Sequence, residues 1–417
     1  MRILFLVHTV DWLETGGGPY HGAGWTGALI RSVLDAGHEA AVVYQTSRKK
    51  GFIREEDGVR YFAVPSEKRT LLGKFGYYYG GYRQDDGAHL LPGLHEAVGT
   101  FRPELIHLFG IENPLSVILG ETDVPVALHL QGLLGPVSEA YCPPGITRGT
   151  FRRRFPLRET LLRNGHIYAL NSLAVRARRE RERLGKARWV LGRTAWDREY
   201  AAAHGPQARY FHVDEILRAP FYEKAGAATY DAAQPLRLVS TLSETMYKGF
   251  DLVLRAARRL QDDGVAFEWT VIGMGEDSSL KRFFEKETGI RCADAGIRLV
   301  GCLDAEKLAQ TLLQAGVYVH PSYVDNSPNS LCEAQLLGLP CVACRVGGIP
   351  SLVEDGKTGL LTPAGDPDAL AACLRGLQDA AARERLGRAA AEAAARRHDP
   401  ETILRDLLEA YHSILQA

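Results

Sequence analysis

The chain of 417 residues lacks several features that would restrict its function at once. It carries no net formal charge, with 50 basic and 50 acidic residues, and this balance argues against a general nucleic-acid-binding protein. No apolar run reaches the roughly 18 residues that a membrane-spanning helix needs. The apolar run from Ile3 to Val7 is short, and it predicts a buried first strand instead of a signal peptide.

Cysteine is also scarce, with seven residues scattered along the chain, which fits a reducing, cytoplasmic location. Cys341 and Cys344 form a C-x-x-C pair without a second pair, and we expect both to be buried strand residues. Asp366 and Asp368 form a D-x-D pattern that precedes a helical segment and does not end an apolar strand. We therefore expect Asp366 to be an N-cap and expect no metal site.

Apolar runs alternate with helical patterns almost from end to end, which is typical of parallel sheets with crossover helices. The predicted strands are 3–7, 40–44, 105–108, 126–130, 189–191, 236–240, 268–272, 297–300, 317–319 and 340–343. The pattern weakens from 211 to 234, and a chain of this length exceeds one ordinary core. We therefore predict an α/β protein with two doubly wound domains and a ligand between them. The predicted parts are a domain 1–215, a linker 216–234, a domain 235–398 and a last helix 399–417 that is a candidate for packing back toward the first domain.

The segment from His320 to Gln335 is the most informative stretch. An apolar strand leads into a loop of small polar residues and then into a helix. Asp325 lies in the loop and Glu333 lies eight residues later on the helix. Loops after parallel strands bind ligands, and a helix N-terminus attracts phosphate or sugar oxygens. A carboxylate about one turn farther along can accept both hydroxyls of a ribose. This arrangement suits a nucleotide-sugar.

The glycine-rich segment 16–27 contains a literal G-x-G-x-x-G at Gly22, Gly24 and Gly27. It follows the first strand only after a dozen residues, and the second strand does not end in an acid, so nicotinamide or flavin binding is disfavoured. We expect a loop in which Gly17 and Gly18 let the backbone approach a phosphate or sugar. A plain surface loop is the alternative.

Three further features each have a functional and an ordinary interpretation. His129 ends the strand 126–130 and either contacts a ligand or is simply packed. Lys248 opens a helix and either clamps a diphosphate or is solvated. The segment 148–188 has twelve arginines and one lysine against three glutamates. It is either a patch for an anionic membrane or a phosphate-bearing acceptor, or a solvated helical face.

Taken in this order, these elements resemble the retaining glycosyltransferases of family 4, which have the GT-B fold. The resemblance covers most of the chain and is strongest from Lys248 to Asp368. The stretch 320–333 resembles the family's E-x7-E element, with Asp325 at the first glutamate and Glu333 at the second. The segments 338–340, 347–350 and 355–361 also resemble segments of this family, and His129 matches a strand-end histidine of the family.

The resemblance implies a hexosyltransferase that uses a nucleotide diphosphate-sugar and needs neither a metal nor another cofactor. Glu333 would hold the ribose, Lys248 the diphosphate, and Asp325 and His129 the sugar. The expected donor-binding residues are Gly17, Gly18, Arg193, Gly273, Asn326, Ser327, Asn329 and Ser330. The acceptor would be a glycan, a lipid-linked molecule or a small molecule, as in polysaccharide biosynthesis, and the protein would be cytoplasmic or peripheral at the inner face of the membrane.

Two departures from the family pattern keep alternatives open. The arginine usually found a few residues before the clamp lysine is absent, and a neighbouring hydroxyl or Arg193 is the candidate replacement. The other departure is Asp325, which is one methylene shorter than glutamate. A non-catalytic GT-B binding or scaffold protein, a nucleotide-sugar epimerase and an oxidoreductase are the rival interpretations. We expect acceptor contacts from residues 12–25 and 65–95, where the aromatic cluster 75–79 either stacks on a sugar ring or packs.

Overall fold

The computed structural model describes residues 1–8, 24–48, 50–66, 70–155, 157–163, 165–231 and 235–417. Within these ranges the strands form two separate sheets with helices between successive strands. All strand pairings except one are parallel. This confirms the prediction of two doubly wound domains.

The first domain is built on the sheet with the order β3-β4-β2-β1-β5-β6-β7-β8. Its strands are β1 (Arg2–Leu6), β2 (Glu39–Thr46), β3 (Phe52–Glu56), β4 (Val59–Pro65), β5 (Leu105–Phe109), β6 (Val126–His129), β7 (Trp189–Gly192) and β8 (Arg209–His212). The sequence did not reveal β3, β4 and β8. Strand β3 pairs antiparallel at the edge, and its charged, exposed residues do not form an apolar run.

The second domain is built on the sheet with the order β11-β10-β9-β12-β13-β14. Its strands are β9 (Leu236–Thr241), β10 (Phe267–Ile272), β11 (Ile297–Leu299), β12 (Val317–His320), β13 (Cys341–Cys344) and β14 (Leu360–Thr362). Strands β10 and β11 are added on one side of β9, and β12 to β14 on its other side, so the strand order reverses between β9 and β12. Ligands of doubly wound folds bind at such a reversal. Both residues of the C-x-x-C pair are buried in β13, as predicted.

The helices cover both faces of each sheet. In the first domain they are α1 (Gly24–Asp35), α2 (Leu71–Tyr79), α3 (Leu91–Phe101), α4 (Leu134–Ala140), α5 (Arg148–Arg154), α6 (Leu157–Leu162), α7 (Gly165–Leu184) and α8 (Ala195–His204). They are followed by α9 (Ala219–Glu223), α10 (Phe250–Asp262), α11 (Ser279–Thr288), α12 (Ala305–Leu313), α13 (Asn329–Leu337), α14 (Pro367–Gly376), α15 (Ala380–Arg397) and α16 (Pro400–Leu415).

Helix α10 shows how the sequence pattern sets the packing. It buries Phe250, Val253, Leu254, Ala257 and Leu260, which recur at three- and four-residue spacing and form one apolar stripe. This stripe faces the core that underlies the second sheet. The helix begins shortly after β9 ends, so its start lies near the carboxyl ends of the strands, where a ligand would bind.

The chain crosses between the two domains twice. The first sheet ends at His212 and the second begins at Leu236, which brackets the predicted linker. Residues of this segment bind the second domain, since the amides of Gly226 and Ala228 donate to the carbonyls of Leu336 and Leu337. The alanine- and arginine-rich sequence of α15 predicts a solvated surface helix, but α15 buries one face against α13.

The last helix, α16, returns to the first domain. Its apolar face buries Ile403, Leu407, Tyr411 and Ile414 in the core cluster that contains β1 and α1. The hydroxyl of Tyr411 lies 2.6 Å from Nδ1 of His107 on β5. The C-terminal residues therefore complete the hydrophobic core of the N-terminal domain.

Asp366 accepts hydrogen bonds from the amides of Asp368 and Ala369 and thus caps α14, as the sequence predicts. Asp368 pairs with Arg259. Among the described residues, no helix is long and apolar enough to cross a lipid bilayer.

We predict that Leu407→Ala lowers the free energy of unfolding by about 2–5 kcal/mol, because it leaves a cavity in the core of the first domain. Leu407 is fully buried, whereas Glu409 on the same helix is exposed. Urea denaturation of Leu407→Ala and of the control Glu409→Ala measures the difference. Equal stability of both variants would show that α16 contributes little to this core.

Candidate functional site

The loop that follows β12 holds Asp325 in a small ionic cluster. Oδ2 of Asp325 lies 2.6 Å from Nζ of Lys248 and 2.9 Å from Nε2 of His320. Burial alone would raise the pKa of Asp325, but the charge of Lys248 and the hydrogen bond from His320 lower it below its ordinary value. Asp325 is therefore ionised and holds the ammonium group of Lys248 in one place.

Lys248 reaches this position because two loops approach each other closely. Gly249, which follows it, has a φ of +78°, and a Cβ on this residue would lie 2.0 Å from the carbonyl oxygen of Pro321. Only glycine fits between the start of α10 and the loop after β12. In addition, the amide of Tyr323 donates to the carbonyl of Tyr247 at 2.7 Å.

Glu333 lies at the middle of α13 and pairs with an arginine that the sequence analysis missed. Nε and Nη2 of Arg218 each donate to one carboxylate oxygen of Glu333 at 2.7 Å. Burial raises the pKa of Glu333, and the guanidinium opposes this rise. A carboxylate has about four lone-pair positions, so each oxygen retains the capacity to accept a further hydroxyl.

Lys248, Arg218 and Glu333 line one cavity of about 760 Å³ in the second domain. Asn329 and Ser330, the first residues of α13, also line it, so the predicted donor-binding residues at this helix start are at the cavity. Oδ1 of Asn329 is buried and has no hydrogen-bond partner among the described residues. Gly273 lines the wall, where a Cβ would lie 2.4 Å from the carbonyl oxygen of Leu242.

Asn326, a predicted donor-binding residue, contacts the first domain through its side chain. Its Nδ2 donates to the carbonyl of Gln131 and to Oδ2 of Asp197, both at 3.1 Å. Its Oδ1 accepts from Oγ1 of Thr194 at 2.6 Å. Asn326 is 4 % exposed, so its side chain connects the two domains and does not line the cavity.

Ser327 and Arg193 belong to the same buried junction. Oγ of Ser327 donates to Oε1 of Glu215 at 2.6 Å, and Nη1 of Arg193 lies 3.7 Å from Oε2 of Glu215. Nη2 of Arg193 donates to the carbonyl of Gln131 at 3.2 Å. We call Arg193, Thr194, Glu215, Asn326 and Ser327 the interdomain clasp. Within the described residues, Arg218 and not Arg193 is the arginine at the cavity.

His129 ends β6 as predicted, but its ring is fully buried. Nε2 lies 3.2 Å from the carbonyl oxygen of Val213, and the ring packs edge-on against Trp25 at 4.9 Å. Burial lowers its pKa, so the ring is neutral at neutral pH. The structure does not bring His129 to the cavity of the second domain, and its role at a sugar stays a prediction. Gly17 and Gly18 lie outside the described residues.

A second cavity, of about 340 Å³, lies at the carboxyl edge of the first sheet. His8, Gln45 and Glu112 line it from the ends of β1, β2 and β5. Oε1 of Glu112 accepts from the amide of Gly132 at 3.2 Å, whereas Oε2 is buried without a hydrogen-bond partner among the described residues. Burial raises the pKa of Glu112.

Aromatic side chains close one side of this second cavity. Tyr77 of the predicted aromatic cluster lines it together with Tyr82 and Tyr168, and the hydroxyls of Tyr77 and Tyr168 lie 3.1 Å apart. Phe75 and Tyr79 instead stack on each other at 4.3 Å and are exposed. The cluster is thus divided between a cavity and the surface.

The second domain is similar in sequence to known proteins. Residues 236–379 match the family described as glycosyl transferases group 1. The amylovoran biosynthesis glycosyltransferase AmsK of Erwinia amylovora is 36 % identical over 150 residues, which are 34 % of this chain and 35 % of that protein. A D-inositol 3-phosphate glycosyltransferase of Streptomyces avermitilis is 45 % identical over 87 residues, 21 % of this chain and 19 % of its own. The AmsK alignment thus spans about a third of the curated relative.

Solved structures match the whole chain. Sucrose-phosphate synthase from Thermosynechococcus elongatus superposes with a TM-score of 0.72 at 16 % identity and covers 100 % of this chain and 99 % of its own. HepE from Anabaena, solved in complex with UDP-glucose, superposes with a TM-score of 0.63 at 14 % identity. The match covers 99 % of this chain and 100 % of the HepE chain. At this identity the likeness concerns the fold, and it confirms the predicted GT-B architecture.

The interdomain clasp leads to a prediction about acid stability. Burial alone would raise the pKa of Glu215, but the charge of Arg193 and its other partners lower it from 4.5 to about 2. The carboxylate therefore stabilises the fold above pH 4.5, and this contribution, about 3 kcal/mol, is lost as the pH falls toward 2.

We expect Glu215→Gln to reduce stability at neutral pH by about 3–5 kcal/mol, because Arg193 loses its counter-charge. We also expect a shallower loss of stability on acidification, since glutamine takes up no proton. Urea denaturation from neutral pH down to the acid range measures both effects, with the exposed Glu409→Gln as the control. Parallel pH profiles of the wild type and Glu215→Gln would contradict this assignment.

Proposed function

We propose that this chain, which has the GT-B fold and whose residues 236–379 match the group 1 glycosyl transferases, is a glycosyltransferase acting on a nucleotide diphosphate-sugar. The observation that carries the proposal is the cavity of the second domain. It combines a cation, Lys248, an anchored carboxylate, Glu333, and the start of helix α13. These three groups match the diphosphate and the ribose of such a donor.

The nucleotide end of the donor is assigned to Glu333. Arg218 orients this carboxylate by two parallel hydrogen bonds, which is the geometry in which arginine binds a carboxylate most strongly. The remaining lone pairs point to hydroxyl donors such as those of a ribose. Arg218 also lies at the cavity and supplies positive charge there.

The diphosphate is assigned to the start of α13 and to Lys248. The free amides of a helix N-terminus and its positive dipole favour anions, and Asn329 and Ser330 are the first residues of this helix. Lys248 would stabilise the charge that grows on the leaving diphosphate. Asp325 keeps Lys248 in position, and in this proposal its carboxylate would orient the sugar.

We further propose that transfer retains the anomeric configuration, as the resemblance implies. In this scheme the departing phosphate accepts the proton of the acceptor hydroxyl, and no metal or additional cofactor takes part. Closure of the two domains would exclude water and limit hydrolysis of the donor. The configuration of the product, read by NMR, decides between retention and inversion.

The acceptor is assigned to the second cavity, which lies in the first domain. Gly132, whose amide binds Glu112, follows Gln131, and the carbonyl of Gln131 contacts Asn326 of the second domain. The cavity is therefore adjacent to the interdomain clasp. Its carboxylates and tyrosines are suited to the hydroxyls and apolar faces of a saccharide, whether free, part of a glycan or lipid-linked.

One observation favours a second candidate, a non-catalytic GT-B binding protein. Both cations of the donor cavity are already paired with carboxylates, Lys248 with Asp325 and Arg218 with Glu333. Such a protein would not need to bind a nucleotide diphosphate. An epimerase, the other alternative, would convert donor without any acceptor, so donor consumption without acceptor would identify it.

We predict that Lys248→Gln and Arg218→Gln each weaken the binding of nucleoside diphosphates about tenfold or more. Lys248→Gln removes a charge-assisted contact with the diphosphate, and Arg218→Gln removes the side chain that orients Glu333. Isothermal titration calorimetry with a panel of nucleoside diphosphates measures this effect. A thermal-shift screen of nucleotide-sugars then identifies the donor, since a ligand of the folded state raises Tm.

The matched control for this experiment is Lys307→Gln, a lysine that is largely exposed outside the cavity. It should bind as the wild type does. If the folded wild type binds no nucleoside diphosphate, the scaffold interpretation replaces the proposed function. Wild-type affinity in both cavity variants would instead refute the assignment of these residues.

We predict that Glu112→Gln raises the KM for the acceptor about tenfold and leaves donor affinity unchanged, because the variant loses a charged hydrogen-bond acceptor. Release of the nucleoside diphosphate, measured with a panel of mono- and disaccharides, gives the KM. The exposed Glu96→Gln is the control. An unchanged acceptor KM would exclude Glu112 from acceptor binding.

A further inference from the structure

The large apolar side chains that are exposed lie together on two helices. The structure describes seven of them, and six are on α2 and α6. These six form what we call the apolar patch, and they are Leu71, Leu72, Phe75, Tyr79, Leu157 and Leu161. Leu71 and Leu72 are 86 % and 85 % exposed, and Leu157 is 72 % exposed. Clustered exposure of this kind marks a binding surface, whereas scattered exposed residues do not.

The two helices form one continuous surface. The hydroxyl of Tyr79 on α2 donates to the carbonyl of Leu161 on α6. Arg163, just after α6, places its guanidinium 4.3 Å from the centre of the Tyr79 ring. The spacing of Leu157 and Leu161, and of Leu71, Phe75 and Tyr79, is four residues, so each set lies on one side of its helix.

Basic side chains surround the apolar patch. Lys74, Arg153, Arg158 and Arg163 are exposed on or beside the same helices. The acidic residue among them, Glu159, accepts a hydrogen bond from the amide of His166 at 2.8 Å and so points toward the start of α7. Among the described residues of α2, α6 and their flanks, the exposed charge around the patch is therefore positive.

The structure divides the basic segment predicted from the sequence. On α7, Arg179 and Arg183 donate to backbone carbonyls of residues 82–86 and hold that loop in place. Arg179 and Arg183 thus have a structural role, and they also line the second cavity. Arg178, Arg181 and Arg188 are also exposed, and the stretch 148–163 is the part of the segment that lies next to the apolar patch.

We propose that the apolar patch and its basic rim dock the protein on an anionic lipid bilayer. Exposed leucines and aromatic rings insert at the boundary between headgroups and acyl chains, and arginines and lysines bind anionic headgroups. A second copy of the chain fits this surface poorly, because a symmetric contact would bring two basic rims together. The binding is peripheral and reversible.

This surface goes beyond the proposed catalytic function and connects to it through α2. Tyr77, on the same helix as Leu71 and Phe75, lines the second cavity. A docked molecule would therefore hold the assigned acceptor cavity close to the bilayer surface. That position suits an acceptor that carries a lipid.

The test is cosedimentation of the full chain with vesicles of phosphatidylcholine alone or mixed with phosphatidylglycerol. We expect binding to the mixed vesicles that weakens with added salt. The double variant Leu157→Gln/Leu161→Gln should reduce the partition coefficient about tenfold or more, because two leucines no longer leave water. Lys74→Gln/Arg158→Gln should abolish the preference for phosphatidylglycerol.

Two matched controls lie elsewhere on the surface. Ile53→Gln alters the exposed apolar residue outside the apolar patch, and Arg396→Gln removes an exposed charge from α15. Both should bind vesicles as the wild type does, and circular dichroism should show all variants folded. Absence of wild-type binding, or equal binding by the leucine variant, would overturn the proposal. So would concentration-dependent self-association that the leucine variant abolishes, which would assign the surface to a second copy.

Discussion

The contact on which the arrangement of the two domains depends is the set of hydrogen bonds made by the buried Asn326. A single amide in the loop after β12 donates to Gln131 and Asp197 and accepts from Thr194, all of them in the first domain. Buried polar groups that lose their partners are costly. The loop therefore has one favourable position relative to the first sheet, and Glu215, Arg193 and Ser327 reinforce it.

This constraint also places the groups of the donor cavity. Asp325 precedes Asn326 by one residue, and α13 begins three residues after it. When Asn326 is held at the junction, Asp325 meets Lys248 and the start of α13 faces the cavity. Gly249 and Gly347 permit this packing, because a Cβ on either would lie 2.0 Å from a carbonyl oxygen of the loop. The groups assigned to substrate binding are thus supported by contacts that do not themselves touch the cavity.

Hydrophobic periodicity predicted most strands that are buried on both faces, although it did not reveal β4. The predicted strands of both sheets are present because parallel strands between helix layers form continuous apolar runs. The edge strands β3 and β14 escaped prediction, since an edge strand has fewer buried positions and β14 has only three residues. Glu333, Lys248, Asn329, Ser330 and Gly273 were found from local motifs and line one cavity.

Local motifs do not indicate the contacts that a residue makes with partners distant in the sequence. Arg218 lies 115 positions before Glu333, and nothing in its own segment indicates that the two pair. Arg193 and Asn326 are polar residues at strand ends, as ligand-binding residues are, but both make contacts between the domains, Arg193 to the carbonyl of Ser327 and Asn326 to the carbonyl of Gln131. The sequence by itself determined the strands, the crossover helices and the carboxylate and lysine of the candidate donor site, because these follow from short-range patterns. Only the tertiary structure decided which polar side chains face a cavity and which join the domains, because that choice depends on the packing of segments more than a hundred residues apart.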